Sequence, residues 1–391
     1  MMFRELKPDI LSVGSIHWNR RIFDELIPLP EGTTYNSYLI RGSEKTALID
    51  SVDPEKWHEL EANLSGLGIK KIDYIVSNHA EQDHSGSIPM LLEKFPEAKV
   101  ITNEKCKAFE TDHLHIADEK FLVVKDGETL SLGNKTLRFL LTPWVHWPET
   151  MVTYLEKDKI LFSCDFFGSH YAGSELYAGD DPVVIHGAKR YYAEIMMPFR
   201  TIVAKNVDKV TQFDIKIIAP SHGPVYDKPE IIIDAYRDWT SNKVKKEVLI
   251  PFVSMHGSTK IMAEYLTDKL IAKGFAVKQF DLPVTDIGEL AMSLVDASTI
   301  IIGSPTVLAG AHPAAVYAAF LANALRPKTK FVSIFGSFGW GGKMVDQLSG
   351  LIGNLKVDVI EPVLFKGMPR EEDFKKIDEL IEKLEEKHKL D

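Results

Sequence analysis

Four side chains able to bind a hard or borderline metal ion crowd into six positions: His79, Glu81, Asp83 and His84. Two imidazoles and two carboxylates at this density suit a divalent cation. They offer more ligand atoms than one ion needs, which points to a pair of ions. Their spacing does not follow the i+3 and i+4 steps of a helical face. It fits a strand-to-helix turn: the apolar run Ile72-Asp73-Tyr74-Ile75-Val76-Ser77 reads as a buried strand before it, and Gly86 and Pro89 follow it. The plain alternative is a polar turn with histidines placed by accident. Two histidines beside two acids in one hexad weigh against that.

Three more apolar runs end in the same way. Residues 137–142 lead through Pro143-Trp144-Val145 to His146, residues 159–164 lead to Asp165, and residues 216–220 lead through Ser221 to His222. Taken singly, each is an ordinary hydrogen-bonded histidine or a turn acid. If the strands share the sheets of one sandwich and one direction, their loops meet on one rim. The rim then gathers His79, Glu81, Asp83, His84, His146, Asp165 and His222.

The elements around these loops follow from local pattern. Residues 37–40 and 46–50 read as paired strands about Arg41-Gly42-Ser43, and a helix is expected over 54–64. A second helix is expected from about Gly86 to Phe95, a strand at 100–102, and weaker strands from there to about residue 140. Past the polar segment 241–246 the pattern becomes regular strand–helix alternation, which argues for an open parallel sheet. The expected domains are therefore 1–246 and 247–391.

The second domain carries its own chemistry. Its first strand, 248–253, runs into Ser254, Met255, His256, Gly257, Ser258 and Thr259, with a helix from Lys260. Hydroxyls, a glycine and the free N–H groups of a helix start make a phosphate cradle, although helix capping alone would use the same residues. No Gly-Lys-Ser/Thr ending is present, which speaks against a triphosphate loop. Two further apolar strands lead into Ser304-Pro305-Thr306-Val307-Leu308-Ala309-Gly310 and Gly336-Ser337-Phe338-Gly339-Trp340-Gly341-Gly342. Both loops would lie beside the cradle, at the strand-end edge where such sheets bind ligands. Residues 371–388 place Phe374, Ile377, Leu380, Ile381 and Leu384 at helical spacing, a closing helix with a solvated Lys/Glu face.

Composition narrows the classes. The chain has 391 residues, is 45% hydrophobic and carries a net charge of -10, which disfavours nucleic acid and anionic membranes as partners. Cys106 and Cys164 are the only cysteines, so a disulfide framework and a four-cysteine iron site are excluded. Residues 1–7 lack a signal-peptide core and no run reaches membrane-spanning length, so a cytoplasmic protein is expected.

The pattern H-x-E-x-D-H followed by His146, Asp165 and His222 resembles the metallo-β-lactamase fold with its dinuclear site. Hydrolases of that fold typically carry His where this chain has Glu81, and the glutamate form resembles the flavodiiron proteins. That resemblance implies an αββα sandwich followed by a flavodoxin-like, doubly wound α/β sheet. One iron would take His79, Glu81 and His146, the other Asp83, His84 and His222, with Asp165 bridging. Carboxylate in place of imidazole favours an iron that must change oxidation state.

The later loops resemble the FMN-binding loops of flavodoxins. By that match Ser254, Met255, His256, Gly257, Ser258 and Thr259 hold the phosphate. Pro305, Thr306, Val307, Ser337, Phe338, Gly339 and Trp340 border the ring. The family often has Asn after Ser-Pro-Thr, where this chain has Leu308-Ala309. The resemblance implies reduction of O2 to water, of NO to N2O, or both, with FMN relaying electrons from an external donor such as rubredoxin. It also implies a head-to-tail homodimer or a dimer of dimers. The competing readings are a dinuclear zinc hydrolase of the same fold and an electron carrier whose metals are structural.

Other residues are set apart. Cys164 is expected as a core thiol turned away from the metals, and His113 and His115 on a surface strand. His17, His170, Tyr191 and Tyr192 are candidate proton donors behind the ligands.

Overall fold

The computed structural model describes residues 3–390, so residues 1, 2 and 391 of the expected domains lie outside it. The chain divides into two compact units between Thr240 and Ser241.

Alternation along the strands builds the first unit. Tyr38 and Ile40 face one way and Leu39 the other; Ala47 and Ile49 face one way and Leu48 the other. With a period of two, each strand therefore serves two cores. The first sheet has seven strands in the spatial order Arg4–Lys7, Ile10–Ser12, Tyr38–Arg41, Thr46–Ile49, Tyr74–Val76, Lys99–Thr102 and Phe121–Val123. Pairing is antiparallel as far as Thr46–Ile49 and parallel beyond it. The second sheet runs Thr129–Ser131, Thr136–Leu141, Met151–Leu155, Ile160–Cys164, Ile217–Pro220. Tyr38, Ile40, Ile49 and Val76 of the first sheet share one core with Phe139, Met151, Ile160 and Phe162 of the second. Leu39, Leu48, Ile75 and Val100 pack outward on Leu60, Leu64, Ile88 and Leu91 of the helices Trp57–Gly66 and Ile88–Lys94.

Strand direction settles where the loops go. Ile160–Cys164 and Ile217–Pro220 are parallel, and Thr136–Leu141 lies two antiparallel steps from the former, hence in the same direction. All three end at one rim, as the expected convergence requires.

In this unit a helix stands where a strand was expected. Residues 104–114 form the helix Glu104–Leu114, not a strand. Asn103 caps it, its side chain accepting from the N–H groups of Lys105 and Cys106. His113 therefore lies on a helix and His115 is its left-handed C-cap at φ 55°.

The second unit is a parallel sheet ordered Ala276–Asp281, Lys245–Phe252, Ala297–Val307, Phe331–Phe338, with Asp358–Val359 and Val363–Lys366 both on the last long strand. That order, with the first strand inside the second, is the flavodoxin-like winding. Val248, Ile250, Ile301 and Phe335 pack on Met262 and Leu266 of helix Ser258–Ala272 and on Ile377, Leu380 and Leu384 of helix Glu371–Leu390. Two strands run further than expected. Pro305, Thr306 and Val307 belong to the strand Ala297–Val307, and Ser337 and Phe338 to Phe331–Phe338, rather than to loops. A tight hairpin extends the first, pairing Thr306 with Ala311, and a strand distant in sequence extends the second, pairing Phe338 with Lys366. No helix among the described residues is long and apolar enough to cross a membrane.

Candidate functional site

At the rim of the first unit the seven side chains converge in two groups. Glu81 Oε2 lies 3.1 Å from Nε2 of His79 and 3.1 Å from Nε2 of His146. Asp165 Oδ2 lies 3.3 Å from each of the same two nitrogens. In the second group His84 Nε2 is 3.3 Å from Asp83 Oδ1, and His222 Nε2 is 3.1 Å from Asp83 Oδ2. Asp165 Oδ1 is 2.9 Å from His84 Nε2 and 3.4 Å from His222 Nε2. One oxygen of Asp165 thus faces each group, the geometry of a carboxylate between two ions.

Whether these residues suit metal is tested by their own polar atoms. Apart from the acid–imidazole approaches just given, both oxygens of Asp83 and of Asp165, and Nε2 of His84, are buried with no hydrogen-bond partner among the described residues. Buried polar atoms without partners are costly and rare. Ligand atoms held about 2.0–2.2 Å from one cation stand roughly 3–3.5 Å from one another. The separations above match, so the donor set fits a pair of ions.

Electrostatics agree. Burial by itself would lower the pKa of His84, but Asp83 and Asp165 raise it to about 9. Burial opposes protonation of His146 too, and Asp165 and Glu81 raise it to about 9. His79 is carried well above its ordinary value against the effect of burial, by Glu149 and Glu81. Burial would raise Asp165, yet His84 and His146 hold it well below the usual carboxylate range. The pocket is built to hold positive charge, which protons supply when no metal does.

A second layer orients the first. Glu149 Oε1 lies 2.6 Å from His79 Nδ1 and accepts from the Ala80 N–H at 3.2 Å. The Thr34 carbonyl lies 2.7 Å from His222 Nδ1. Asp50 accepts from the N–H and side-chain amide of Asn78 at 2.8 and 3.0 Å. Ser51 Oγ donates to the His84 carbonyl at 2.5 Å. Such partners fix the ring orientation and raise ligand basicity. Sequence reasoning missed Glu149, Asp50 and Thr34. Asp50 had a signal, since it follows the strand Thr46–Ile49 just as the ligands follow theirs.

The candidates for the layer behind the ligands separate. His170 lies with its ring 4.8 Å from that of His222, and its Nδ1 2.9 Å from Thr33 Oγ1. The Tyr191 ring is 5.8 Å from His222, and its pKa is raised by burial and then by the Asp165 charge. Tyr192 instead donates to the Trp239 carbonyl, and His17 packs against Tyr35. Cys164 is buried as expected but is not turned away: its sulfur is within 4.8 Å of ligand atoms of His84 and Asp165. The strand register shifts between Phe162 and Cys164, and Cys164 takes φ 51°, so alternation fails there. Asp50 at φ 53° and Trp144 at φ 64° make similar left-handed exits, a form of strain that gathers at functional sites.

In the second unit, the loop Ser254-Met255-His256-Gly257 joins strand Lys245–Phe252 to helix Ser258–Ala272. The N-cap residue of that helix, Gly257, has no side chain to cap it, and stands at φ 89° with open space where a Cβ would be. Backbone N–H groups at a helix start fit a phosphate. Ser254 Oγ accepts from the Lys260 N–H at 3.2 Å, and Ser258 Oγ lies 3.0 Å from Ser337 Oγ. Thr306, Phe338, Gly341, Gly342 and Leu364 line an open cleft. Trp340, which core packing would bury, is 89% exposed, and Met255 is also exposed. These residues fit FMN, with polar atoms for the phosphate and apolar faces for the ring.

The chain matches the family model described as ODP family beta lactamase over residues 33–223, and that of flavodoxin over residues 250–379. It is 37% identical over 387 residues to the nitric oxide reductase of Moorella thermoacetica, covering 95% of each chain. The solved rubredoxin oxygen:oxidoreductase from Desulfovibrio gigas matches with a TM-score of 0.95 and 32% identity, covering 100% of this chain and 99% of the other. The flavodiiron protein from Giardia intestinalis matches with a TM-score of 0.90 and 30% identity, covering 99% of this chain and 96% of the other. A lactamase-like unit with a glutamate in its cluster of acids and histidines, a flavodoxin unit after it, and relatives matched from end to end together place this chain in the flavodiiron protein family.

Proposed function

We propose that this protein is a flavodiiron oxidoreductase that reduces O2 to water, or couples two NO to N2O and water, with electrons drawn through FMN from an external donor such as rubredoxin. The observation that carries this reading is Asp165, whose two buried oxygens each face a separate set of ligand atoms in a chain that also folds a flavodoxin unit. His79, Glu81 and His146 would hold one iron, Asp83, His84 and His222 the other, and Asp165 would join them. The FMN phosphate would sit on Ser254, Met255, His256, Gly257, Ser258 and Thr259. Its ring would be bordered by Pro305, Thr306, Val307, Ser337, Phe338, Gly339 and Trp340. Bound iron would supply redox-active ions that polarise a diatomic gas, and FMN would hold electrons for them.

The chain's own residues do the rest. Glu149 fixes which nitrogen of His79 faces inward, and the Thr34 carbonyl does so for His222. Burial of all seven ligands except the half-buried His146 keeps water back, and His146 marks the open side. The relatives' names, nitric oxide reductase and rubredoxin-oxygen oxidoreductase, support the same substrates and donor. We further propose a cytoplasmic head-to-tail homodimer or a dimer of dimers.

Anaerobic steady-state rates with each gas and reduced rubredoxin test the reading. Turnover of either gas with flavin reoxidation supports it. Zinc in the site with hydrolytic turnover and no redox activity would replace it with the hydrolase reading.

A further inference from the structure

Behind the His79 loop lies an acid that the chemistry above does not use. Glu110 sits on helix Glu104–Leu114 and is fully buried. Its Oε1 makes a short hydrogen bond with Ser77 Oγ, and its Oε2 has no partner among the described residues. The same Ser77 Oγ lies 3.2 Å from the His79 carbonyl.

The proton count at Ser77 is decisive. A serine hydroxyl carries one hydrogen, and here two oxygens compete for it. Given to Glu110, it leaves the His79 carbonyl unserved and Glu110 a buried anion. The charges that act on Glu110 most strongly, Asp50 from the strand end below and Glu149 from the loop beside it, are both negative. The remaining donor at hand is the thiol of Cys106 on its own helix, and a thiol is a weak one. Given instead to the His79 carbonyl, the Ser77 hydrogen requires Glu110 to supply the proton of the short bond. The short bond and the His79 carbonyl are then both served, and no charge is stranded.

We infer that Glu110 is a positioning residue that acts as a neutral acid, pinning the Ser77 hydroxyl onto the backbone of His79 and so holding that ligand in register with Glu149. Burial, opposed by the Ser77 hydrogen bond, pushes the Glu110 pKa up to about 8, so the acid form persists at neutral pH. The inference rests on the reading of His79 as an iron ligand only for its effect on metal; the protonation state stands apart from it.

The test uses the full chain, metal-free and iron-loaded, with Glu110→Gln, Glu110→Ala and Ser77→Ala. Infrared difference spectra of the metal-free protein should show the carbonyl stretch of a protonated carboxyl that shifts in heavy water and vanishes in Glu110→Gln. Glutamine keeps a neutral donor, so Glu110→Gln should hold iron against a chelator as the unsubstituted protein does near neutral pH. Ser77→Ala and Glu110→Ala should release iron about tenfold faster. Above about pH 8, where Glu110 ionises, the unsubstituted protein should release iron faster while Glu110→Gln does not change. No acid carbonyl band at neutral pH overturns the inference, whatever metal is bound. So does a Glu110→Gln protein that releases iron as fast as Ser77→Ala. A band that is present in a chain that binds no iron would sink the metal reading and leave the neutral acid in place.

Discussion

Replacing Glu149 by alanine removes the carboxylate that lies 2.6 Å from His79 Nδ1 and 3.2 Å from the Ala80 nitrogen. Both side chains of the Glu149–His79 pair are wholly buried, so water does not take the lost partner's place without rearrangement. Two effects follow. The His79 ring loses the group that selects its tautomer and raises its basicity, which costs about 10–100-fold in metal affinity, or about 1.4–2.8 kcal/mol. The Ala80 N–H loses a buried acceptor, which costs about 1–3 kcal/mol of stability. Glu149→Gln keeps an acceptor oxygen and loses only the charge, so its affinity loss should be the smaller of the two. Chelator competition on the iron-loaded protein reads the first effect, and urea unfolding of the metal-free protein reads the second. An alanine variant that holds iron as tightly as the unsubstituted chain would refute the reasoning, because His79 would then be oriented by something else.

Further substitutions probe other parts of the account. Asp165→Ala should abolish gas reduction while the flavin absorbance stays, because only the carboxylate shared by the two ligand groups is lost; retained turnover would count against bridging. Gly223→Ala should lower stability by about 2 kcal/mol or more, measured by thermal unfolding. The added Cβ would stand 2.1 Å from Ser169 Oγ at φ +80°. Leu308 and Ala309 form the two-residue turn between Val307 and Gly310 at φ 51° and 62°. Such turns favour Asn-Gly, so Leu308→Asn with Ala309→Gly should add about 1 kcal/mol, read as a higher urea midpoint for flavin release. Finally, His84 and His146 are raised to about 9 in the metal-free protein. The stability they contribute is full below the unfolded histidine value, near 6.5, and is lost as pH rises to about 9. The melting temperature of the metal-free chain should fall over that window, and that of the iron-loaded chain should not follow it.

The site was legible in the sequence where its logic is local. The hexad holding His79 and His84 announces itself by density, and His146, Asp165 and His222 by their place after apolar runs. Asp50 obeyed the same rule and could have been read. Glu149 could not, because its meaning comes from a histidine 70 residues away. Glu110 is one of three acids on its helix, with Glu104 and Asp112, and only the fold shows it buried. The helix Glu104–Leu114 itself was misread because its polar stretch has little periodicity, while its signal lies in the Asn103 cap. Cys164 was misplaced because strand alternation assumes an unbroken register, and the strand shifts register just there. The late strands were drawn too short because the chain turns back at Leu308-Ala309 to pair Ala311 with Thr306, and because Lys366, which pairs with Phe338, lies far on in sequence.

The most direct measurement is metal and flavin content of the chain purified under strict anaerobic conditions, joined to the visible spectrum as NO or O2 is added to the reduced protein. The account predicts a pair of irons and one FMN per chain, with the flavin bands returning as the gas is consumed. A chain that carries zinc in that pocket, or whose reduced flavin is indifferent to both gases, would contradict it.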